Sequence, residues 1–209
     1  FLFPFNKALL IELISVALEH FEAWQKEIGN EHRRFESITW EVPSIRYFNE
    51  LYNRQEIETH ALDPFYEYKN ASSPERKFKE YLSENAEKID WWYKNGDHGR
   101  EHFAVEYLDS NKEKQPFYVD FVIKFKSGQI GLFDTKTKRS DPEAPFKHNG
   151  LIQYFEQENA KNPESFFGGI IIPIDVNGVI TWRYCRNRID NTDDLTGWDY
   201  FNLNAPIVA

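Results

Sequence analysis

The sequence has no methionine and a single cysteine, Cys185, among 209 residues. One cysteine excludes an internal disulfide and disfavours a thiolate zinc site, which suits a reducing, cytoplasmic setting. No glycine-rich phosphate loop of the Walker kind is present, so any ATP-driven motor is expected to lie outside this stretch. Internal repeats and low-complexity tracts are also missing. No uninterrupted apolar run reaches membrane-spanning length: the opening FLFPFNKALLIELISVALEHF is broken by Lys7, Glu12 and Glu19 and reads as an amphipathic helix. A chain that opens on Phe1 without a methionine is expected to be a piece of a longer protein.

What is present suffices for a folded domain: 41% hydrophobic and 17% aromatic residues in a chain long enough to bury a sizeable core. The net charge of −9 argues against nucleic-acid binding on its own, but it is unevenly spread. Residues 117–139 hold Lys124, Lys126, Lys136, Lys138 and Arg139 against Asp120 and Asp134, a local +3 that leaves −12 for the remainder. A basic strip on an acidic body can meet a phosphate backbone.

Helical spacing of apolar residues runs through about residues 6–28, with an extended stretch at 37–48 that Pro43 confines to an edge or bulge. The turn-rich DPFYEYKNASSPE separates a mostly helical N-terminal appendage, residues 1–70, from a main domain, residues 71–209. In the main domain Ser73 is expected to cap a helix with Pro74 in its first position. Strands follow near 90–94 and 103–108, then a hairpin over 117–138, a helix over 146–160, and two strands in SFFGGIIIPI and VITWRYC. This order predicts an α/β (α+β) fold, a central mixed sheet flanked by helices.

The hairpin YVDFVIKFKSGQIGLFDTKTK carries the chemistry. Phe117, Val119, Phe121, Ile123 and Phe125 are expected on one face and Asp120 on the other. In the second strand Asp134 and Lys136 share a face, about 7 Å apart along the chain. Loop length decides whether the aspartates meet. A three-residue loop, Lys126-Ser127-Gly128, with Gly128 at the position needing positive φ, pairs Phe125 with Gln129 and sets Asp120 opposite Asp134. Opposed carboxylates repel, so Asp120→Asn is expected to stabilise the metal-free fold. A divalent cation would remove the repulsion, and hard oxygen ligands suit magnesium. On the helix opening at Pro74, Glu75 lies three residues before Phe78 on the stripe Phe78, Leu82, Ala86, Ile89. It is therefore either a third carboxylate aimed at the sheet or a complement to the helix dipole.

Glu75, Asp120 and Asp134-Thr135-Lys136, in that order, resemble the PD-(D/E)xK nuclease signature across residues 71–185. More narrowly, SPERKFKEYL, WWYKNGD, FYVDFVIKF and GQIGLFDTK resemble the C-terminal endonuclease domain of type III restriction enzyme helicase–nuclease subunits. Val119 stands where that pattern often has proline, Asp134 where it often has glutamate, and Thr137 where glycine is common. The resemblance implies a restriction-endonuclease-like fold and magnesium-dependent hydrolysis of double-stranded DNA, with manganese able to substitute. It assigns Asp120, Asp134 and Lys136 to catalysis together with Glu75. The metal ligands would be Asp120, Asp134, Glu75 and the Thr135 carbonyl, with Lys138, Arg139 and Lys147 as DNA contacts. The implied partners are an upstream helicase region, which would use the ATP, and a separate specificity or modification subunit, with no membrane. The competing reading is a catalytically silent nuclease-like module that binds DNA or packs on a motor domain. His98 and His102 have metal-like spacing, but Gly96 and Gly99 beside them indicate a loop.

Overall fold

The computed structural model describes residues 12–20, 40–99, 101–138, 141–163 and 165–203. The chain divides into two units, Phe1–Thr39 and Trp40–Ala209. In the first, residues 12–20 are helical and exposed, and the rest of the helix expected over 6–28 lies outside the described residues. Residues 40–70, grouped by sequence with the appendage, fall within the second unit. Residues 40–48 form no strand, and residues 37–39 of the expected extended stretch lie outside the described residues.

The second unit opens with an antiparallel hairpin, β1 (Tyr52–Gln55) and β2 (Phe65–Tyr68). Helix α1 (Ser73–Glu84) follows, and its N-cap is Ser72, one residue earlier than the sequence suggests. The reason is a reciprocal capping box: Ser72 Oγ accepts from the Glu75 backbone N–H at 3.3 Å while Glu75 Oε2 accepts from the Ser72 N–H at 2.7 Å. One 3-10 turn later comes β3 (Ile89–Lys94), then a small hairpin of β4 (Val105–Leu108) and β5 (Lys114–Phe117). Strands β6 (Phe121–Phe125) and β7 (Ile130–Thr135) form the hairpin of interest. Helix α2 (Ala144–Lys161) carries the chain over to β8 (Phe166–Val176), which continues into β9 (Val179–Tyr184) and β10 (Asp199–Phe201).

Six strands make one mixed sheet in the order β10-β9-β8-β7-β6-β3, antiparallel except at the β7–β8 seam. The fold is therefore the α/β arrangement expected, a central mixed sheet with helices against it. Apolar residues on both faces bury it. On one face Phe78 and Leu82 of α1 pack with Trp92, Phe121, Ile123, Phe125 and Phe133. On the other, Leu151, Ile152 and Phe155 of α2 pack with Val119, Val122 and Leu132. Phe78 is fully buried, so Phe78→Ala would cost about 3–5 kcal/mol.

The expected strand 117–125 is broken. Phe117 ends β5 in the small hairpin, and the six-stranded sheet resumes only at Phe121. Phe117 and Val119 join the α2 side whereas Phe121, Ile123 and Phe125 join the α1 side, so the alternation changes phase across the bend at Asp120. The β6–β7 register is the one expected. Phe121 pairs with Phe133 and Lys124 with Ile130. Phe125 N–H donates to Gln129 O at 3.0 Å, Gly128 N–H to Phe125 O at 2.9 Å, and Gly128 has φ +95°. Continuing that register sets Asp120 across from Asp134.

At the parallel seam, Gly168 and Gly169 have φ of +135° and +132°. A Cβ on Gly168 would lie 2.0 Å from the Leu132 carbonyl oxygen, and one on Gly169 would lie 2.6 Å from the His148 ring. Only glycine permits this approach. His148, fully buried, donates from Nε2 to Asn187 O and accepts the Ile170 N–H on Nδ1, so burial holds it neutral with a pKa lowered to about 4.

Candidate active site

Where the register closes, at the C-terminal ends of β3 and β7 and the entry to β6, four carboxylates meet three ammonium groups among the described residues. Asp120, on the bend before β6, is held on both oxygens. Its Oδ2 accepts from the Thr135 backbone N–H at 2.8 Å and the Thr135 hydroxyl at 2.7 Å, and its Oδ1 pairs with Lys94 Nζ at 2.9 Å. Lys94 ends β3 on the face of Trp92 and also pairs with Glu75 Oε1 at 2.9 Å. Its backbone N–H donates to His60 Nε2 at 3.2 Å, and burial lowers the His60 pKa to about 4, keeping the ring neutral and accepting.

The Asp134 half differs. Asp134 is 3% exposed. Its Oδ2 lies 3.0 Å from Lys136 Nζ, yet that buried oxygen makes no well-directed hydrogen bond. Lys136 reaches on to Asp141 Oδ2 at 3.7 Å, and Lys147 of α2 pairs with the same oxygen at 2.8 Å.

These environments separate the two aspartates. Burial opposes charge on Asp120, but Lys94 and the Thr135 hydrogen bonds outweigh it and hold its carboxyl below the usual carboxylate range. Burial and then the charge of Asp120 raise Asp134 to about 7, with Lys136 opposing only in part. Burial likewise opposes charge on Lys94 and Lys136, and the carboxylates beside each reverse the balance and raise both. With Asp134 protonated, Glu75, Asp120 and Asp141 balance Lys94, Lys136 and Lys147. Among the described residues, its ionisation leaves one negative charge without a matching cation in a buried cluster.

Asp120, Asp134, Thr135 and Lys136 are thus adjacent. Glu75 closes the helix cap through Oε2 and is linked to Asp120 through Lys94 by Oε1. Among the described residues, no three His, Cys, Asp or Glu side chains gather closely enough to hold a metal ion together. Thr135 anchors Asp120 through its N–H and hydroxyl. Lys147 is tied to Asp141, Lys138 is exposed, and Arg139 lies outside the described residues. His98 is exposed while His102 is buried against the Tyr93 hydroxyl at 3.3 Å. Sequence reasoning passed over Lys94, Asp141 and His60. Lys94 left a signal, a lysine two residues after Trp92 on a face that is otherwise core.

A magnesium ion needs only one or two protein carboxylates, with water and substrate oxygens completing its shell. Asp120 and Asp134 offer an all-oxygen pair, one buried oxygen without a directed hydrogen bond, and one excess negative charge. That donor set fits the ion. No known protein family, curated protein or solved structure matches the chain. No described helix is long and apolar enough to cross a membrane.

Proposed function

We propose that this chain is a magnesium-dependent nuclease of the PD-(D/E)xK kind, hydrolysing phosphodiester bonds of double-stranded DNA in the cytoplasm. In this reading it is the nuclease domain of a type III restriction-like helicase–nuclease subunit, whose motor region and specificity subunit are separate. The observation that carries it is Asp134, a buried carboxylate across from Asp120 with a lysine ammonium 3.0 Å away and, among the described residues, one negative charge more than the cluster's cations balance. A structural ion-pair network has no need of the extra carboxylate, whereas a site for a hard cation does.

Asp120 and Asp134, with the Thr135 carbonyl, would hold the ion, and manganese would suit the same oxygens. Bound there, magnesium supplies charge neutralisation at the phosphate and a more acidic water. Thr135 fixes Asp120 in place from both its N–H and its hydroxyl. Lys136, kept charged by Asp134 and Asp141, is placed to donate a hydrogen bond to the attacking water or to a phosphoryl oxygen. Glu75 orients Lys94, which in turn orients Asp120. Lys138 is exposed for contact with the DNA backbone, and Lys147 supports Asp141.

One observation favours the silent-module reading: the Lys94 ammonium already supplies a cation between Glu75 and Asp120. The test is incubation of the protein with plasmid DNA in magnesium, in chelator, and with Lys136→Ala. Nicking that requires both magnesium and Lys136 supports the nuclease. DNA binding with no magnesium-dependent nicking supports the silent module.

A further inference from the structure

Beside the carboxylate pair opens a cavity of about 490 Å³, within the size range of small-ligand sites. Among the described residues, four carboxylates, Glu67, Glu75, Asp97 and Glu101, line it against three cations, Arg46, Lys79 and Lys94, a balance that does not favour an anion. Lys79 within it is paired with Glu67 at 2.7 Å, and Lys94 is shared between Glu75 and Asp120. Asp97 and Glu101 add further negative charge.

What the cavity offers is a wall of rings. Phe48 and Tyr66 stack at 4.5 Å with planes 11° apart. Tyr52 meets Phe48 edge-on at 5.0 Å and continues to Tyr68 at 5.4 Å. The guanidinium of Arg46 lies 5.1 Å from the Phe48 ring. Tyr68 is 41% exposed, and Phe48, Tyr52 and Tyr66 are half-buried, so the wall is reachable. Core aromatics of this protein are nearly inaccessible, as Trp92 and Phe78 are. Rings left open beside peptide and side-chain hydrogen-bonding groups suit an uncharged, flat, polar-edged ligand.

The position narrows the choice. Glu75 and Lys94 line the cavity, and Lys94 also touches Asp120, so one wall of the cavity adjoins the carboxylate pair. A phosphodiester at that pair would bring a neighbouring nucleotide to the mouth. A base stacked and paired in a duplex does not reach into a recessed, ring-lined cavity, whereas an unpaired one can. We infer that the cavity receives an unpaired DNA base next to the phosphate held at Asp120 and Asp134, so that the preferred substrate has a flipped or single-stranded nucleotide there. This rests on the phosphodiester reading of the site.

The test is run in magnesium on a Lys136→Ala background, where the ion is still held and cleavage is slowed by about a thousandfold. A short oligonucleotide carrying 2-aminopurine is titrated with the protein at fixed salt, single-stranded and then as a full duplex. The single strand is expected to bind at least about tenfold tighter than the duplex, with its fluorescence quenched. Tyr66→Ala is expected to weaken the single strand by about tenfold and abolish the quench, and Tyr66→Phe to restore both. If circular dichroism shows Tyr66→Ala to be unfolded, Tyr68→Ala, at a more exposed ring, carries the same comparison. Equal affinity for strand and duplex, or a quench indifferent to these substitutions, overturns the inference. Binding and quenching of the single strand on this background, with a wild type that fails to nick DNA in magnesium, overturns only the proposed activity.

Discussion

Asp120, on the bend before β6, and Asp134, near the end of β7, differ in nothing but their surroundings. Asp120 accepts three contacts and is held below the ordinary carboxylate range. Asp134 has one lysine, no directed hydrogen bond on its buried Oδ2, and a pKa raised to about 7. One half of the cluster is satisfied and supports the fold, and the other half is strained and available. Two titratable groups of one kind pushed apart in this way are the usual preparation for dividing structural and chemical work.

The largest effect that tests this division is on chemistry. Lys136→Ala should lower magnesium-dependent nicking by about a thousandfold, as loss of a transition-state donor does. Magnesium should still raise its melting temperature, because lysine is no ligand, and an active Lys136→Ala would break the functional reading of the Asp134 half. Next comes Lys94→Met, which leaves Asp120 and Glu75 without their shared cation. A stability loss of about 3 kcal/mol is expected in urea unfolding at pH 7, and a loss near zero would mean that the Asp120 half is not structural.

The paired asparagine substitutions then separate the halves directly. Repulsion alone made Asp120→Asn stabilising. The contacts on Asp120 reverse that expectation, since the amide cannot accept from Thr135 and pair with Lys94 as the carboxylate does. Asp120→Asn should cost about 1.5–3 kcal/mol in chelator, and Asp134→Asn should gain stability at pH 8. The pH dependence has a definite sign. The Asp134 carboxyl titrates near 4 unfolded and about 7 folded, so the folded state holds the extra proton between these values. Stability from this group therefore falls as pH rises from about 4 to 7. Asp120, with the opposite shift, contributes stability above about pH 4 and loses it as pH falls further. Wild-type protein in chelator should lose stability between pH 5 and 8 relative to Asp134→Asn, and parallel curves would remove the strain from Asp134. The smallest effect is at the helix cap. Ser72→Ala should cost about 1 kcal/mol by thermal melting and leave nicking intact, because Lys94 still holds Glu75.

Much of this was legible in the sequence. The spacing around Gly128 specified the loop, and the loop specified that Asp120 faces Asp134, because a period of two leaves no intermediate choice. The sheet and both main helices were readable from apolar periodicity. The break at Asp120 was not, since Phe117 to Phe125 alternates without interruption and both faces of β6 turn out to be buried. The partners of the aspartates were hidden for a different reason. Lys94 is 26 residues from Asp120 and reaches it through β3–β6 pairing, a contact that no local pattern encodes. Ser72 and Ser73 are both adequate caps, and only the reach of Glu75 back to the Ser72 N–H decides between them.

The glycine pair on β8 bears on how a mutational scan of this protein would look. Gly168 pairs with Leu132 and Gly169 with Phe133, just ahead of the Ile170–Asp134 pair, so the closest approach of β8 to β7 lies two residues before Asp134. Any side chain at 168 or 169 must push β8 off β7 or turn His148, and either displaces Asp134. A scan scored by nicking would rank these two positions with the charged residues, although neither glycine carries a reactive group. Scored instead by soluble protein, the glycines would still fail and Lys136 would not. Intolerance at 168 and 169 thus measures the tolerance of the mould, in which a backbone with no side chains sets the position of a carboxylate it never touches.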